Sequence, residues 1–576
     1  MKGRRNMHAP NGAKKERKEK KEKKTLFERI NRYLELKHRA VFGIILLASV
    51  LFSILLFDAK INMMGDDSDY IMYGYRFADS FSFPGFRGPF YPILLSPFIA
   101  VFGINIVMLK ALSGIMITGS LFLMYRAFYG RIPALILFSG LLLAGTNAFL
   151  LFYSSAVLSE PLFLLLQSLL ILLFCRYFVD AKDGVPAGKQ ILQFLVIALT
   201  VLCLTLTRTV GYAAAGVIAV YFLFFGQWKK ALMSIAANAA VFGLFGLMKK
   251  LLWPASGSAY DLSAFFTRDM YNPDRGMEDF AGIAVRLFEN SVTYLSRYIY
   301  QFLGLRTGIG SPSVFITLII VFAFLLGGYM AYRKNRLLFF AALHTLGFCL
   351  ANFIILHATW MQERFIIVYY PLILTVILAG VYYLLQANRR LHFLYIALVA
   401  VFFAGSFSQT LDRTGDNAKA LKMYLSGNIL YGLSPDWQNY IQASRLAAKE
   451  APESAGIAAR KPSTSMIYAN RPFHGIYSVP SVSKDTLNTW RPGPGKTAAV
   501  IDLGTQDIPS LSEYLTFVAV GNTDIGDLKF QTAGIYEINP ADSLYVKALA
   551  DGIGAAYTQD YMQYSENFLK TPDNLL

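Results

Sequence analysis

Residues 312–331 read PSVFITLIIVFAFLLGGYMA, twenty residues without a charge, and Arg333, Lys334 and Arg336 follow directly. At about 1.5 Å per residue such a run covers the roughly 30 Å of hydrocarbon in a bilayer. Comparable runs recur at 40–57, 105–126, 132–151, 161–179, 191–207, 210–226, 231–248, 337–356, 365–386 and 392–408. They predict a polytopic α-helical membrane protein of about eleven transmembrane helices. The composition agrees: of 576 residues, 55% are hydrophobic and only 16% charged, far from the usage of a soluble domain.

Basic residues fall on alternate connections. Arg126 and Arg131, then Arg176, Lys182 and Lys189, then Lys229 and Lys230, then Arg333, Lys334 and Arg336, then Arg389 and Arg390 occupy every second loop. Lys and Arg in short loops stay cytoplasmic, so a multi-pass protein of the cell inner (plasma) membrane with a cytoplasmic N-terminus is expected. Much of the net charge of +17 lies in residues 1–39, read as a basic cytoplasmic tail on anionic lipid rather than a nucleic-acid arm. No cleavable signal peptide is expected, which makes the first span a retained signal-anchor. Residues 40–408 form the membrane domain, with outer loops 58–105 and 249–312. Residues 409–576 read as a C-terminal extracytoplasmic α/β domain, helical over 440–450 and strand-rich at 456–459, 498–503, 516–520 and 535–538. Cys175, Cys203 and Cys349 all lie inside apolar runs, which excludes a disulfide framework and a zinc cluster.

With this orientation the unusual charges gather on the outer side. The first outer loop carries Gly65-Asp66-Asp67-Ser68-Asp69-Tyr70, ahead of an amphipathic stretch to Phe81. A carboxylate here can act as general base toward a hydroxyl or hold a divalent cation; equally, an Asp/Ser cluster suits the positive end of a surface helix. The loop ends in Arg87-Gly88-Pro89-Phe90-Tyr91-Pro92, whose arginine can fork onto phosphate oxygens or touch lipid headgroups. Glu160, just before Pro161, either marks an ordinary helix start or faces the same cavity as the acids of the first loop. Arg208 separates two short apolar runs near the outer leaflet, where an arginine needs a partner: a lipid phosphate or an outer carboxylate. Glu363 and Arg364 open another span on the outer side, as an interfacial charge pair or with Arg364 as a second phosphate ligand.

Pattern and order together resemble the membrane glycosyltransferases of the GT-C superfamily, most nearly the bacterial branch related to protein O-mannosyltransferases and lipid A aminoarabinose transferase (glycosyltransferase family 39-like). The resemblance rests on Asp66-Asp67-Ser68-Asp69-Tyr70, Arg87-Gly88-Pro89-Phe90-Tyr91-Pro92, Ser159-Glu160-Pro161-Leu162-Phe163, Arg208, and Glu363-Arg364 ahead of Pro371. It implies a GT-C-like fold and a polyprenyl-phosphate-linked sugar as donor, with a glycan, lipid or protein acceptor and membrane lipid around the chain. It further implies Asp66, Asp67 and Glu160 as catalytic carboxylates, Arg364, Arg208 and Arg87 at the donor phosphate, and Tyr70, Tyr91 and Glu363 in the substrate cavity. Where the family often has Glu as the second acid this chain has Asp67, so either aspartate can be the base. The Trp-Trp-Asp signature of oligosaccharyltransferases is absent from the sequence, which argues against transfer of a preassembled glycan to asparagine. Family members differ in metal use, and neither cofactor nor metal is expected. A transporter or flippase of lipid-linked saccharides is the alternative, and it predicts charges along a path through the helices.

Overall fold

The computed structural model describes residues 25–62, 66–85, 88–180, 186–254, 265–269, 275–306, 310–357, 360–450, 456–459, 461–475, 515–519 and 534–538. The basic run 14–24, Arg87 and the expected strand at 498–503 lie outside them.

Among the described residues, eight helices are long and apolar enough to cross a membrane: His38–Leu55, Ile106–Phe128, Ser159–Val179, Ala187–Thr207, Trp228–Leu252, Val314–Lys334, Arg336–Ile355 and Arg389–Leu425. Each coincides with an expected span. The other three of the expected eleven are present in altered form. Residues 132–151 become the pair Ala134–Gly145 and Ala148–Ser155, bent by 53°. Asn147 makes the bend: its amide oxygen accepts from the N–H groups of Phe149 and Leu150, and its Nδ2 donates to Phe302 O and Ser406 Oγ, both at 2.9 Å. Residues 210–226 and 365–386 shorten to Thr209–Phe224 and Tyr370–Gln386.

Helix extends past two expected boundaries. Past the expected membrane boundary near Ser408 the last helix continues, His392–Leu425 being one helix of 34 residues. The polar sequence after Ser408 marks a change of surroundings, not the end of a helix. At the other end, residues 26–36 of the basic tail fold as the amphipathic helix Leu26–Leu36, started by a capping box between Thr25 and Glu28. Its Phe27 is buried and stacks on His392 and Tyr382 at 3.9 and 4.5 Å between ring centroids.

The core lies where Ile106–Phe128 packs on Ser159–Phe174, and Arg336–Ile355 and Val314–Lys334 pack on Tyr370–Gln386. The first expected outer loop contains two helices, Asp66–Ser80 and Phe90–Phe102, packed on each other. The second contains Phe280–Thr293, followed by a π-helical turn, Tyr294–Ile299. Toward the C-terminus come the helix Pro435–Glu450 and four short strands: β1 (Gly456–Ala459), β2 (His474–Gly475), β3 (Leu515–Ala519) and β4 (Gly534–Ile538). Their order is β2-β1-β3-β4; β1 pairs parallel with β2 and β3, and β4 pairs antiparallel with β3. The helix Pro462–Ala469 makes the β1-to-β2 crossover and packs against Asp66–Ser80.

Candidate active site

Four charged residues from four distant parts of the chain meet at the end of the bundle. Asp66 stands in the first turn of Asp66–Ser80, whose opening acids Asp66, Asp67 and Asp69 suit the positive end of the helix. Arg364 opens the one-turn helix Arg364–Ile367, and its Nη1 donates to Asp66 Oδ2. Glu160 sits in the first turn of Ser159–Phe174 with only 3% of its side chain exposed. Arg208 is the extended residue between Ala187–Thr207 and the short turn Thr209–Tyr212.

Arg208 Nη1 donates to Glu160 Oε1 at 2.8 Å, and the same oxygen lies 4.0 Å from Arg364 Nε. The sequence Asp66, Arg364, Glu160, Arg208 thus alternates in sign. Both guanidinium groups also lie against one ring: Phe365 is 5.0 Å from Arg364 Cζ and 5.4 Å from Arg208 Cζ. Holding two cations this close requires counter-charge, which Glu160 provides from its enclosed position. Glu160 Oε2 and Arg364 Nε are enclosed yet have no hydrogen-bond partner among the described residues.

The two candidate bases separate. Asp66 is partly exposed and faces Arg364. Asp67 is 1% exposed and turns away into the chain before it, where Oδ2 accepts from Asn62 N at 2.5 Å and Oδ1 from Ser68 N at 3.1 Å. Burial pushes the Asp67 carboxyl up to about 6, against the opposing pull of the Asn62 N–H and of Lys110. Asp69, the third acid, is also raised by burial, with the Ser463 hydroxyl opposing.

Tyr70 and Tyr91 are enclosed, at 6% and 0% exposure. Their rings meet edge to face at 5.2 Å; Tyr70 OH donates to Ser159 Oγ at 3.3 Å and Tyr91 OH pairs with Ser113 Oγ at 3.4 Å. Apolar ring surface drew both inward, and they brace the acid helix against the bundle. Glu363 is half-buried beside Arg364, and its carboxyl is raised by burial while Arg413 pulls it down. Arg87 lies outside the described residues, but its neighbour Gly88 packs against the residue before Arg208. Gly88 has φ +84°, and a Cβ there would lie 2.1 Å from Thr207 O.

Several residues at this end were not singled out from sequence. Lys110, 2% exposed, donates to the backbone oxygens of Asp58, at 2.7 Å, and of Lys60. It is a cation in the middle of the apolar run 105–126, the same signal that marked Arg208. Ser463 and Arg413 carried no such signal, since both lie in ordinary polar sequence. Among the described residues no group of three or more His, Cys, Asp or Glu is placed to hold a metal ion.

No family model and no curated protein matches the chain. Solved structures resemble it at low identity. The archaeal oligosaccharyltransferase AglB from Archaeoglobus fulgidus, in complex with an inhibitory peptide and a dolichol-phosphate, is 13% identical with a TM-score of 0.47, over 76% of this chain and 64% of that one. ArnT from Cupriavidus metallidurans bound to undecaprenyl phosphate is 13% identical with a TM-score of 0.47, over 75% of this chain and 85% of that one. ArnT in the apo state is 12% identical with a TM-score of 0.46, over 82% and 92%. These neighbours are GT-C superfamily glycosyltransferases. The chain spans a little under two thirds of the length of the oligosaccharyltransferase, at 64%.

Proposed function

We propose that the protein is a glycosyltransferase that moves a hexosyl or pentosyl unit from a polyprenyl-phosphate donor to an acceptor hydroxyl at the outer face of the membrane. The observation that carries this reading is the convergence of Asp66, Arg364, Glu160 and Arg208, residues brought together by a 298-residue and a 48-residue separation. Two arginines over one phenylalanine ring form a focus of positive charge suited to a lipid phosphate. A partly exposed carboxylate beside them is suited to accept a proton.

In this mechanism the donor phosphate takes the place of Asp66 on Arg364 and meets Arg208, with Arg87 as a third cation. Asp66 then removes the acceptor hydroxyl proton as that oxygen attacks the anomeric carbon. The bond from anomeric carbon to phosphate oxygen breaks, the configuration inverts, and polyprenyl phosphate leaves with its charge matched by the arginines. Glu160 orients both arginines, and Asp67 holds the chain that leads into the acid helix. The strands β1–β4 and the helices beside them lie on the extracytoplasmic side, and the N-terminus is cytoplasmic.

The test incubates purified protein with a panel of polyprenyl-phosphate hexoses and pentoses and measures release of free polyprenyl phosphate. Release by the parent, lost in Asp66→Asn and in Arg364→Ala, is the expected result. Unchanged release in the Asp66→Asn/Asp67→Asn double variant refutes the carboxylate mechanism. Transbilayer movement of the intact lipid-linked sugar without cleavage assigns the protein to transport.

A further inference from the structure

Arg364 stands on an irregular piece of backbone, between the end of Arg336–Ile355 and the start of Tyr370–Gln386. Irregular backbone inside a packed bundle leaves carbonyl oxygens without ladder partners, and each must be satisfied by another donor. Here the break falls at residues 368–370. Tyr369 N donates to Ile366 O and Leu372 N to Tyr369 O, both at 3.0 Å, so neither reaches the carbonyl four residues back. Phe365 O and Val368 O are thereby orphaned.

Both are taken by buried side-chain amides from other helices. Asn352 Nδ2 donates to Phe365 O at 2.8 Å, and Gln167 Nε2 donates to Val368 O at 3.0 Å. The approach to Arg364 is held the same way. Asn290 Nδ2 donates to Phe353 O at 2.8 Å and to Leu356 O at 2.7 Å, ending the preceding helix. Tyr294 OH donates to Trp360 O, and Tyr298 OH donates to Met361 O at 2.6 Å. Tyr294 and Tyr298 lie on the π-helical turn Tyr294–Ile299, which sets their rings 5.6 Å apart at an interplanar angle of 33°, both hydroxyls reaching the same segment. All five side chains are 4% exposed or less.

We infer that Gln167, Asn352 and Tyr298 are positioning residues that fix the one-turn helix Arg364–Ile367, and so aim Arg364 at the donor phosphate. The inference rests on the proposed role of Arg364. None of the three touches substrate. They act by satisfying backbone oxygens on either side of the arginine, which prevents the segment from relaxing toward a regular helix that would carry the guanidinium away from Glu160.

Two near-isosteric variants test this, Tyr298→Phe and Gln167→Met, each removing one donor while keeping most of the volume. Binding of polyprenyl phosphate and the KM and kcat for a polyprenyl-phosphate sugar are measured on folded, monodisperse full-length protein, along with the thermal unfolding midpoint. The expected result is binding weakened by roughly tenfold, the effect of orphaning one buried carbonyl, with KM for the donor raised in step. In an Arg364→Ala background the same substitutions produce no further loss of binding, because there is no guanidinium left to aim. A lowered unfolding midpoint with unchanged binding and KM in both variants assigns these side chains to stability alone and overturns the inference. Additive losses in the Arg364→Ala background overturn it too. If Arg364→Ala itself leaves polyprenyl-phosphate binding unchanged, the phosphate role of Arg364 fails, and the positioning role falls with it. Loss on Arg364→Ala beside parent-like binding in the other two variants overturns the positioning role only.

Discussion

Ser463 donates its hydroxyl to Asp69 at 2.6 Å across 394 residues of sequence. This bond, with that of Thr464 Oγ1 to Ser68 Oγ at 3.4 Å, joins the helix Pro462–Ala469 to the helix that carries Asp66. The segment following β1 is therefore part of what holds the candidate base in place.

Ser463→Ala removes a donor from a carboxyl that burial already raises. Its folded pKa rises further. A carboxyl with a raised folded pKa contributes stability below its unfolded value, 3.8, and loses it as pH rises through the folded value. The variant loses more of it than the parent. Its stability deficit therefore grows from pH 4 to pH 7, reaching about 1 kcal/mol. Thermal unfolding in detergent at the two pH values checks this; an equal deficit at both means that the hydroxyl does not serve the carboxylate.

Asp67→Asn separates the two aspartates. In the parent, the stability that protonated Asp67 contributes is full below 3.8 and is lost as pH rises through about 6. That difference corresponds to about 3 kcal/mol. An asparagine keeps an acceptor for the Asn62 N–H and has no such titration. The variant accordingly gains stability relative to the parent from pH 4 to pH 7, and it retains sugar transfer where Asp66→Asn does not. Stability differences independent of pH would show that Asp67 is not buried as described.

The parts of the site that were legible in the sequence were those where charge interrupts apolar sequence. Glu160, Arg208 and Arg364 stand out because a charge near hydrocarbon needs a reason, and the three do meet. Lys110 had the same signature. Gln167, Asn290 and Asn352 had none, since an amide in a membrane helix does not reveal that its partner is a broken backbone elsewhere. The enclosure of Tyr70 and Tyr91 was not legible from their place beside the acids; their ring area favours burial. The helical continuation from Ser408 to Leu425 was not legible either: hydropathy reports what surrounds a helix and says nothing of where its hydrogen bonds stop.

Arg208 and Glu160 are expected to be energetically coupled. Glu160 is 3% and Arg208 13% exposed. Arg208→Met leaves a buried carboxylate facing only Arg364, and Glu160→Gln leaves Arg208 without its carboxylate beside Arg364, which keeps only Asp66. Each single variant is expected to lose about 3 kcal/mol, and the double variant Glu160→Gln/Arg208→Met less than the sum. A double-variant cycle on thermal unfolding in detergent measures the coupling. Strict additivity would mean the pair is not formed.

The helix that follows Arg364 is seated by glycines. Tyr370–Gln386 crosses Val314–Lys334 so closely that a Cβ on Gly327 would lie 2.2 Å from Val376 O, and one on Gly380 would lie 2.7 Å from Gly327 Cα. Small residues let membrane helices approach to backbone contact, where dispersion along both helices replaces packing against lipid. Since the obstructing atoms are backbone, rotamer changes cannot relieve the clash, and the helices must separate. Gly327→Ala is therefore expected to destabilise by about 3 kcal/mol or more. Gly243→Ala, at a position with nothing within 4 Å of the added carbon, should leave the unfolding midpoint within about 0.5 kcal/mol of the parent. Because Tyr370–Gln386 begins six residues after Arg364, the Gly327 variant should also weaken polyprenyl-phosphate binding in whatever fraction folds. A folded Gly327→Ala protein of parent stability would show that the two helices do not meet at this point.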